Sequence, residues 1–290
     1  MSWWWKVIGG LVFLALVGCG TYAYFHMRAP KAPAYDPYAA YPPSFVENHV
    51  IGTSVEGREI REYSYGFGPK RLLFVGGMHG GYEWNSILLA YQLIDYLDAH
   101  NDIVPTGFLI TVIPNLNPDG IYKIIGKGGR FAIADVPTLK DSSPGRFNAH
   151  GVDLNRNFDC KWTPTGTWRT QTVSAGIAPF SEPETRALRD YILKNKPTAA
   201  VFWHSQANAV YASECTHGIL PETVRIMNAY ASAAGYPAVK SFSAYEVHGD
   251  AEGWLASINI PAITVELKTH ESVEWNRNLL GIKALLSAEK

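Results

Sequence analysis

RLLFVGGMHGGYEWNSILLAYQL, Arg71 to Leu93, is the stretch on which the fold turns. Leu72 to Val75 is a short apolar run that reads as a buried strand. Gly76 and Gly77 follow, then His79, two more glycines and Glu83. From Glu83 onward, Ile87, Leu88, Tyr91, Ile94 and Tyr96 recur at roughly helical spacing. His79 is therefore expected on a tight turn leaving a strand, and Glu83 at the opening of a helix. An imidazole and a carboxylate meeting at such a turn are two of the three protein ligands that an open catalytic zinc site takes.

Outward from that stretch the pattern repeats. Phe108 to Ile113, Ala199 to Trp203 and Ala262 to Leu267 are further buried strands, and Val50 to Gly52 and Arg58 to Tyr65 are short strands around the turn Glu56-Gly57. Helices are expected over 83–98, after a Ser181 cap with Pro183 in the first turn, over 221–234 and over 272–288. The dense turn cluster Pro114 to Gly120 ends the second buried strand. Residues 121–182 carry little periodicity and many turn formers, which in a compact domain usually marks a functional segment. Strands separated by helices predict a single α/β domain over 46–290, with a mixed, mostly parallel central sheet and helices on both faces. His79, His204 and Glu266 each fall at the end of a buried strand. Open α/β sheets gather ligands outside the carboxyl ends of their strands, so these distant residues are expected to converge.

The totals exclude some classes. A formal net charge of -1 over 290 residues gives no case for nucleic-acid binding or for a polybasic membrane patch. The N-terminal segment, 1–26, is set apart from the fold. MSWWWK precedes the apolar run VIGGLVFLALVG, which has the layout of an export signal, and Leu16-Val17-Gly18-Cys19 resembles a lipid-attachment site. The competing reading is an uncleaved anchor, since Val7 to Phe25 is long enough to span a bilayer; simple secretion is the third. All three put the body outside the cytoplasm, the first two tethering it to the cell envelope. Residues 27–45, rich in proline and alanine, read as a stiff linker. Beyond Cys19 only Cys160 and Cys215 remain, and in an oxidising compartment they either pair or stay as two buried thiols.

The set resembles the zinc metallocarboxypeptidases of the carboxypeptidase A superfamily. The matching stretches are the His79 to Glu83 turn, NPDG at 117–120, GVDLNRNFD at 151–159, WHSQ at 203–206 and TVEL at 264–267, in the family's order. The resemblance implies one zinc ion held by His79, Glu83 and His204. It puts Glu266 in the role of general base, Arg146 at the developing oxyanion and Tyr245 as the mobile cleft tyrosine. It makes Asn155 and Arg156 the pair that reads a substrate's free carboxylate, with Ser205 beside them in the substrate cleft. The segment HGDAEGWL, 248–255, would line the pocket for the released side chain. If either of its acids, Asp250 or Glu252, points inward, the pocket favours a basic or amine-bearing side chain such as diaminopimelate; the alternative is that both face solvent or cap a turn. Two departures stand out. Three residues rather than two separate His79 from Glu83, and the arginine that the family carries between those ligands is missing. His150, His217, His248 and His270 are taken as non-ligands. The expected activity is zinc-dependent release of a C-terminal residue from a peptide or muropeptide. The alternatives are an amidase acting on muropeptides or N-acyl amino acids with the same site, and a non-catalytic binding module.

Overall fold

The structure, a computed structural model, describes residues 46–138 and 141–288. The export signal, Cys19 and the linker lie outside the described residues. Among those described, no helix is long and apolar enough to cross a membrane.

An eight-stranded sheet runs through the domain. Its edge is an antiparallel pair, β1 (Val46–Thr53) and β2 (Glu59–Gly66). Next come β4 (Phe108–Ile113) and β3 (Lys70–Val75), then β7 (Ala199–Ser205) and β12 (Ala262–Leu267), then β8 (Ala209–Ala212) and β11 (Ala238–Val239). β3 pairs parallel with β4 and β7, β7 with β12, and β8 with β11; β2/β4 and β8/β12 are antiparallel. Two small ribbons complete the strands: β5 (Thr165–Trp168) with β6 (Gln171–Ser174), and β9 (Glu214–Cys215) with β10 (Gly218–Ile219).

Both faces of the sheet are covered, which is why its central strands read as unbroken apolar runs. Leu72, Phe74, Val201, Trp203, Ile263 and Val265 pack on one side with α1 (Trp84–Ala99), α4 (Pro221–Ala234) and α6 (Trp275–Ala288). Leu73, Val75, Ala200, Phe202 and Ala262 pack on the other with α3 (Pro183–Asn195) and α5 (Ala251–Ser257). The expected mixed sheet with helices on both faces is what forms.

Several local expectations need correction. The NPDG cluster opens a helix, α2 (Pro118–Ile125): Asn117 caps it by accepting from the Gly120 N–H, and Pro118 occupies its first turn. The residue that caps α3 is Glu182, not Ser181, whose hydroxyl donates to the Glu182 carboxylate instead. The last helix starts at Trp275 rather than 272. The stretch read as irregular holds the β5–β6 hairpin as well as α2. Cys160 and Cys215 form a disulfide, resolving the two alternatives in favour of pairing.

Candidate metal centre and cleft

The strand order β3-β7-β12 puts three chemistry-bearing carboxyl ends side by side. The chain runs to opposite sides of the sheet from β3, first to β4 and later to β7, and crevices form at such reversals. His79 lies just beyond β3, in the turn that becomes a 3-10 stretch, Gly80–Glu83. Gly80 has φ +44, and a Cβ there would lie 2.7 Å from the Gly145 carbonyl and 2.9 Å from the Gly120 Cα. Glycine thus lets the extra residue between His79 and Glu83 be absorbed against α2.

Nδ1 of His79 lies 2.9 Å from Glu83 Oε1, Nδ1 of His204 lies 3.0 Å from Glu83 Oε2, and the two Nδ1 atoms are 3.1 Å apart. All three side chains are buried. Two imidazole nitrogens facing each other across one carboxylate are poorly matched as hydrogen-bond partners and well matched as a ligand set. Tetrahedral zinc ligands about 2.1 Å from the metal lie about 3.4 Å from one another, close to the spacing here. His79, Glu83 and His204 therefore fit a divalent metal.

Behind each imidazole stands an acid. Asp153 Oδ1 is 3.4 Å from His79 Nε2, and Glu252 Oε1 is 3.4 Å from His204 Nε2. At these distances the carboxylates face the rings by charge, with neither Nε2 in a formed hydrogen bond, and outer carboxylates so placed are what orient a ligand imidazole. Asp153 also takes two hydrogen bonds from Arg146, Nε and Nη2, each 2.8 Å. Burial opposes the Asp153 charge, but Arg146 and Arg156 hold its carboxyl well below the usual range. Burial likewise opposes the Glu83 charge, yet His79 and His204 keep it depressed. His204 is raised well above the usual imidazole value, with Glu83 and Glu252 overcoming the cost of burial.

All the candidate residues line one cleft of about 600 Å³. Glu266 pairs in register with His204 on the neighbouring parallel strand, so both side chains leave the same face of the sheet. Burial, with Glu83 adding repulsion, pushes the Glu266 carboxyl up to about 7, and Oε2 accepts from the Ala207 N–H at 3.2 Å. Arg146 reaches within 3.7 Å of Glu83, and its backbone carbonyl accepts from Asn117 Nδ2 at 3.1 Å, which ties it to the NPDG cap. Arg156 donates to the Asn155 and Thr167 carbonyls and leaves its buried Nε without a partner. Asn155 accepts the Ala251 N–H on Oδ1, so its amide nitrogen remains available as a donor. Tyr245 lies against Phe242 in the cleft wall, and burial raises its phenol.

The specificity segment divides. Asp250 caps α5 through the Gly253 N–H and stands partly open to the cleft; burial and the neighbouring Glu252 push it up to about 6. Glu252 instead turns back to His204 and accepts from Thr264 Oγ1 at 3.0 Å. Glu252, named as a candidate substrate-binding residue if it points inward, is corrected: its carboxylate is engaged behind the metal ligand. Ser205 also is engaged, with Oγ 3.1 Å from Asn85 Oδ1 and 2.7 Å from His270 Nδ1. The sequence reading passes over Asp153, although it sits two residues before Asn155 in a conspicuous motif. His270, read as a non-ligand flanking the cleft segment, lies outside the ligand group and bonds Ser205 instead.

The chain is 28% identical over 250 residues to gamma-D-glutamyl-L-diamino acid endopeptidase 1 of Lysinibacillus sphaericus, covering 79% of this chain and 61% of that protein. It is 32% identical over 151 residues to murein peptide amidase A of Escherichia coli, covering 49% of this chain and 59% of that one. The chain spans about three fifths of the length of these curated relatives. Among solved structures, bovine thrombin-activatable fibrinolysis inhibitor superposes with a TM-score of 0.66 at 18% identity, over 85% of this chain and 90% of that chain. The murein-tripeptide amidase of Escherichia coli O157 gives 0.55 at 23%, over 88% and 95%. The pattern of the zinc carboxypeptidase family matches residues 35–283, and on that match this chain belongs to the zinc carboxypeptidase family.

Proposed function

We propose that the protein is a zinc-dependent peptidase that cleaves the amide bond before a terminal, amine-bearing residue, of the kind that joins γ-D-glutamate to a diamino acid in cell-wall peptides. The observation that carries this reading is the pairing, in one cleft with the His79-Glu83-His204 group, of two kinds of recognition. Asn155 and Arg156 offer only donors, which suit a free carboxylate. Asp250 caps α5 through Oδ2 and is partly open to the cleft, so its carboxylate stands at the pocket despite the cap, which suits an ammonium. The names of the endopeptidase and the amidase above support the choice of substrate class.

His79, Glu83 and His204 would hold the zinc ion, which would supply acidification of a water towards neutrality and Lewis-acid polarisation of the scissile carbonyl. Glu266 takes the proton from the attacking water and hands it to the departing nitrogen. Arg146, held by Asp153, faces the carbonyl oxygen as it gains charge. Tyr245 closes over the bound substrate. Water attacks the carbonyl carbon, the C–N bond breaks, and the products are a carboxylate and a free amine.

The test is a substrate panel. γ-D-glutamyl-diaminopimelate should be cleaved faster than peptides ending in aromatic residues, and amidation of the terminal carboxylate should cut kcat/KM by about tenfold or more. Preference for plain peptides ending in lysine or arginine would favour an ordinary carboxypeptidase; indifference to amidation would remove Asn155 and Arg156 from their role.

We further infer that residues 1–26 tether the body outside the cytoplasm, by lipid at Cys19 or as an anchor. The Cys160–Cys215 disulfide supports an oxidising compartment. Recovery of the full-length protein in the soluble cytoplasmic fraction would contradict it.

A further inference from the structure

Arg169 occupies an unusual place. It sits in the two-residue turn of the β5–β6 hairpin, between the paired residues Trp168 and Gln171. Its φ is +55, in the left-handed region that favours glycine or asparagine and strains other residues. The hairpin lies over the cleft floor: Thr167 O accepts from Arg156, and a Cβ on Gly166 would meet Arg156 Cδ at 2.7 Å. Its tip reaches the far wall, where Arg169 Nη2 donates to the Tyr82 hydroxyl at 2.7 Å. Tyr82 lies in sequence directly before the ligand Glu83, and its ring packs on Trp168 and on His270.

Three guanidinium groups thus line one cleft, in different circumstances. Arg146 is paired with Asp153, and Arg156 is buried under the hairpin. Arg169 is exposed, and among the described residues no carboxylate ion-pairs with it; Asp141, within its electrostatic reach, bonds to the Ser143 N–H instead. Among the described residues its one polar partner is a neutral phenol.

We propose that Arg169 is a specificity residue that binds a free carboxylate on the acyl side of the scissile bond. This rests on the peptidase reading above. With the leaving residue's carboxylate at Asn155 and Arg156, and the scissile carbonyl between Glu83 and Arg146, the acyl part of the substrate runs past Tyr82 to the hairpin tip. A γ-linked glutamyl residue is the chemistry that fits. Its side-chain carboxyl forms the amide, so its α-carboxylate stays free and close to the cleaved bond. An α-linked peptide has such a group there only where the residue before the cleaved bond is itself acidic.

The test compares γ-D-glutamyl-diaminopimelate with its α-amide, which differ only in that carboxylate. The wild type should favour the free acid by about tenfold, mostly in KM, and the preference should shrink with added salt. Arg169→Asn suits the positive φ, so the protein should melt no lower, while KM for acid and amide becomes equal. Arg169→Lys should keep part of the preference. Equal use of both substrates by the wild type, or a preference that survives Arg169→Asn, would overturn the role of Arg169 and leave the peptidase reading intact. Failure of the wild type to cleave either substrate would overturn both.

Discussion

Replacing Asp153 with asparagine keeps its size but removes the charge that faces His79 Nε2 and Arg146 together. Carboxylates behind metal-bound imidazoles are typically worth 10–100-fold in metal affinity. Asp153→Asn should therefore weaken zinc binding by about that factor in competition with a chromophoric chelator. Unchanged affinity would reduce Asp153 to an anchor for Arg146. Glu252→Gln tests the same logic at His204, where the acid expected to read a substrate proves to be committed to a ligand. The residue scale is where sequence reading was strongest for ligands and weakest for their supports. A histidine beside glycines at a strand end announces itself; a buried aspartate in a loop differs from a capping one only in what it meets across the fold.

At the scale of elements, the NPDG turn, the His79–Glu83 turn and the Arg146 segment pack backbone to backbone. A Cβ on Gly120 would stand 2.4 Å from the Gly145 carbonyl and 2.6 Å from Asn117 Nδ2. Gly120→Ala should cost more than about 2 kcal/mol, and it should weaken metal binding by pushing on the turn that carries the ligands. Gly129→Ala, where a Cβ would meet nothing, should stay within about 0.5 kcal/mol. Chemical denaturation of both variants checks this, and equal stability would mean that the turns are not in fixed contact. The Cys160–Cys215 bridge closes a loop of 55 residues around the floor of the specificity segment, where Gly249 N–H donates to the Cys160 carbonyl. Loop-closure entropy makes such a bridge worth about 4 kcal/mol. The double serine variant should melt about 10 °C lower. A change under about 2 °C would contradict that.

Across the whole molecule, three groups of the cleft share one pH dependence when the metal is stripped. Glu266, pushed up to about 7, and Asp250, pushed up to about 6, hold protons in the folded state that the unfolded chain has released. His204, raised well above its usual value, does the same. The folded state then binds more protons, so stability falls as pH rises from about 5 to 8. Glu83, Glu252 and Asp153 are shifted the other way, and their contribution is lost only on acidification below about 4. Thermal melts of chelated protein should fall across pH 5 to 8, and Glu266→Gln should flatten the curve. A rising curve would contradict the placement of these acids. The sheet was legible because its central strands, covered on both faces, carry apolar runs with chemistry at their ends. α2 and the β5–β6 hairpin were not, since a helix opened by Asn-Pro-Asp-Gly looks like a turn and a four-residue strand of TGTW has no periodicity to read. Arg169 was hidden with its hairpin.

The central claim is that His79, Glu83 and His204 hold a metal while Glu266 moves the proton, so the decisive measurement is zinc content and turnover of Glu266→Gln beside the wild type. About one zinc per chain in both, with kcat reduced about a thousandfold in the variant, is the expected result. Turnover that survives the substitution, or a wild-type chain that binds no zinc, would contradict the account.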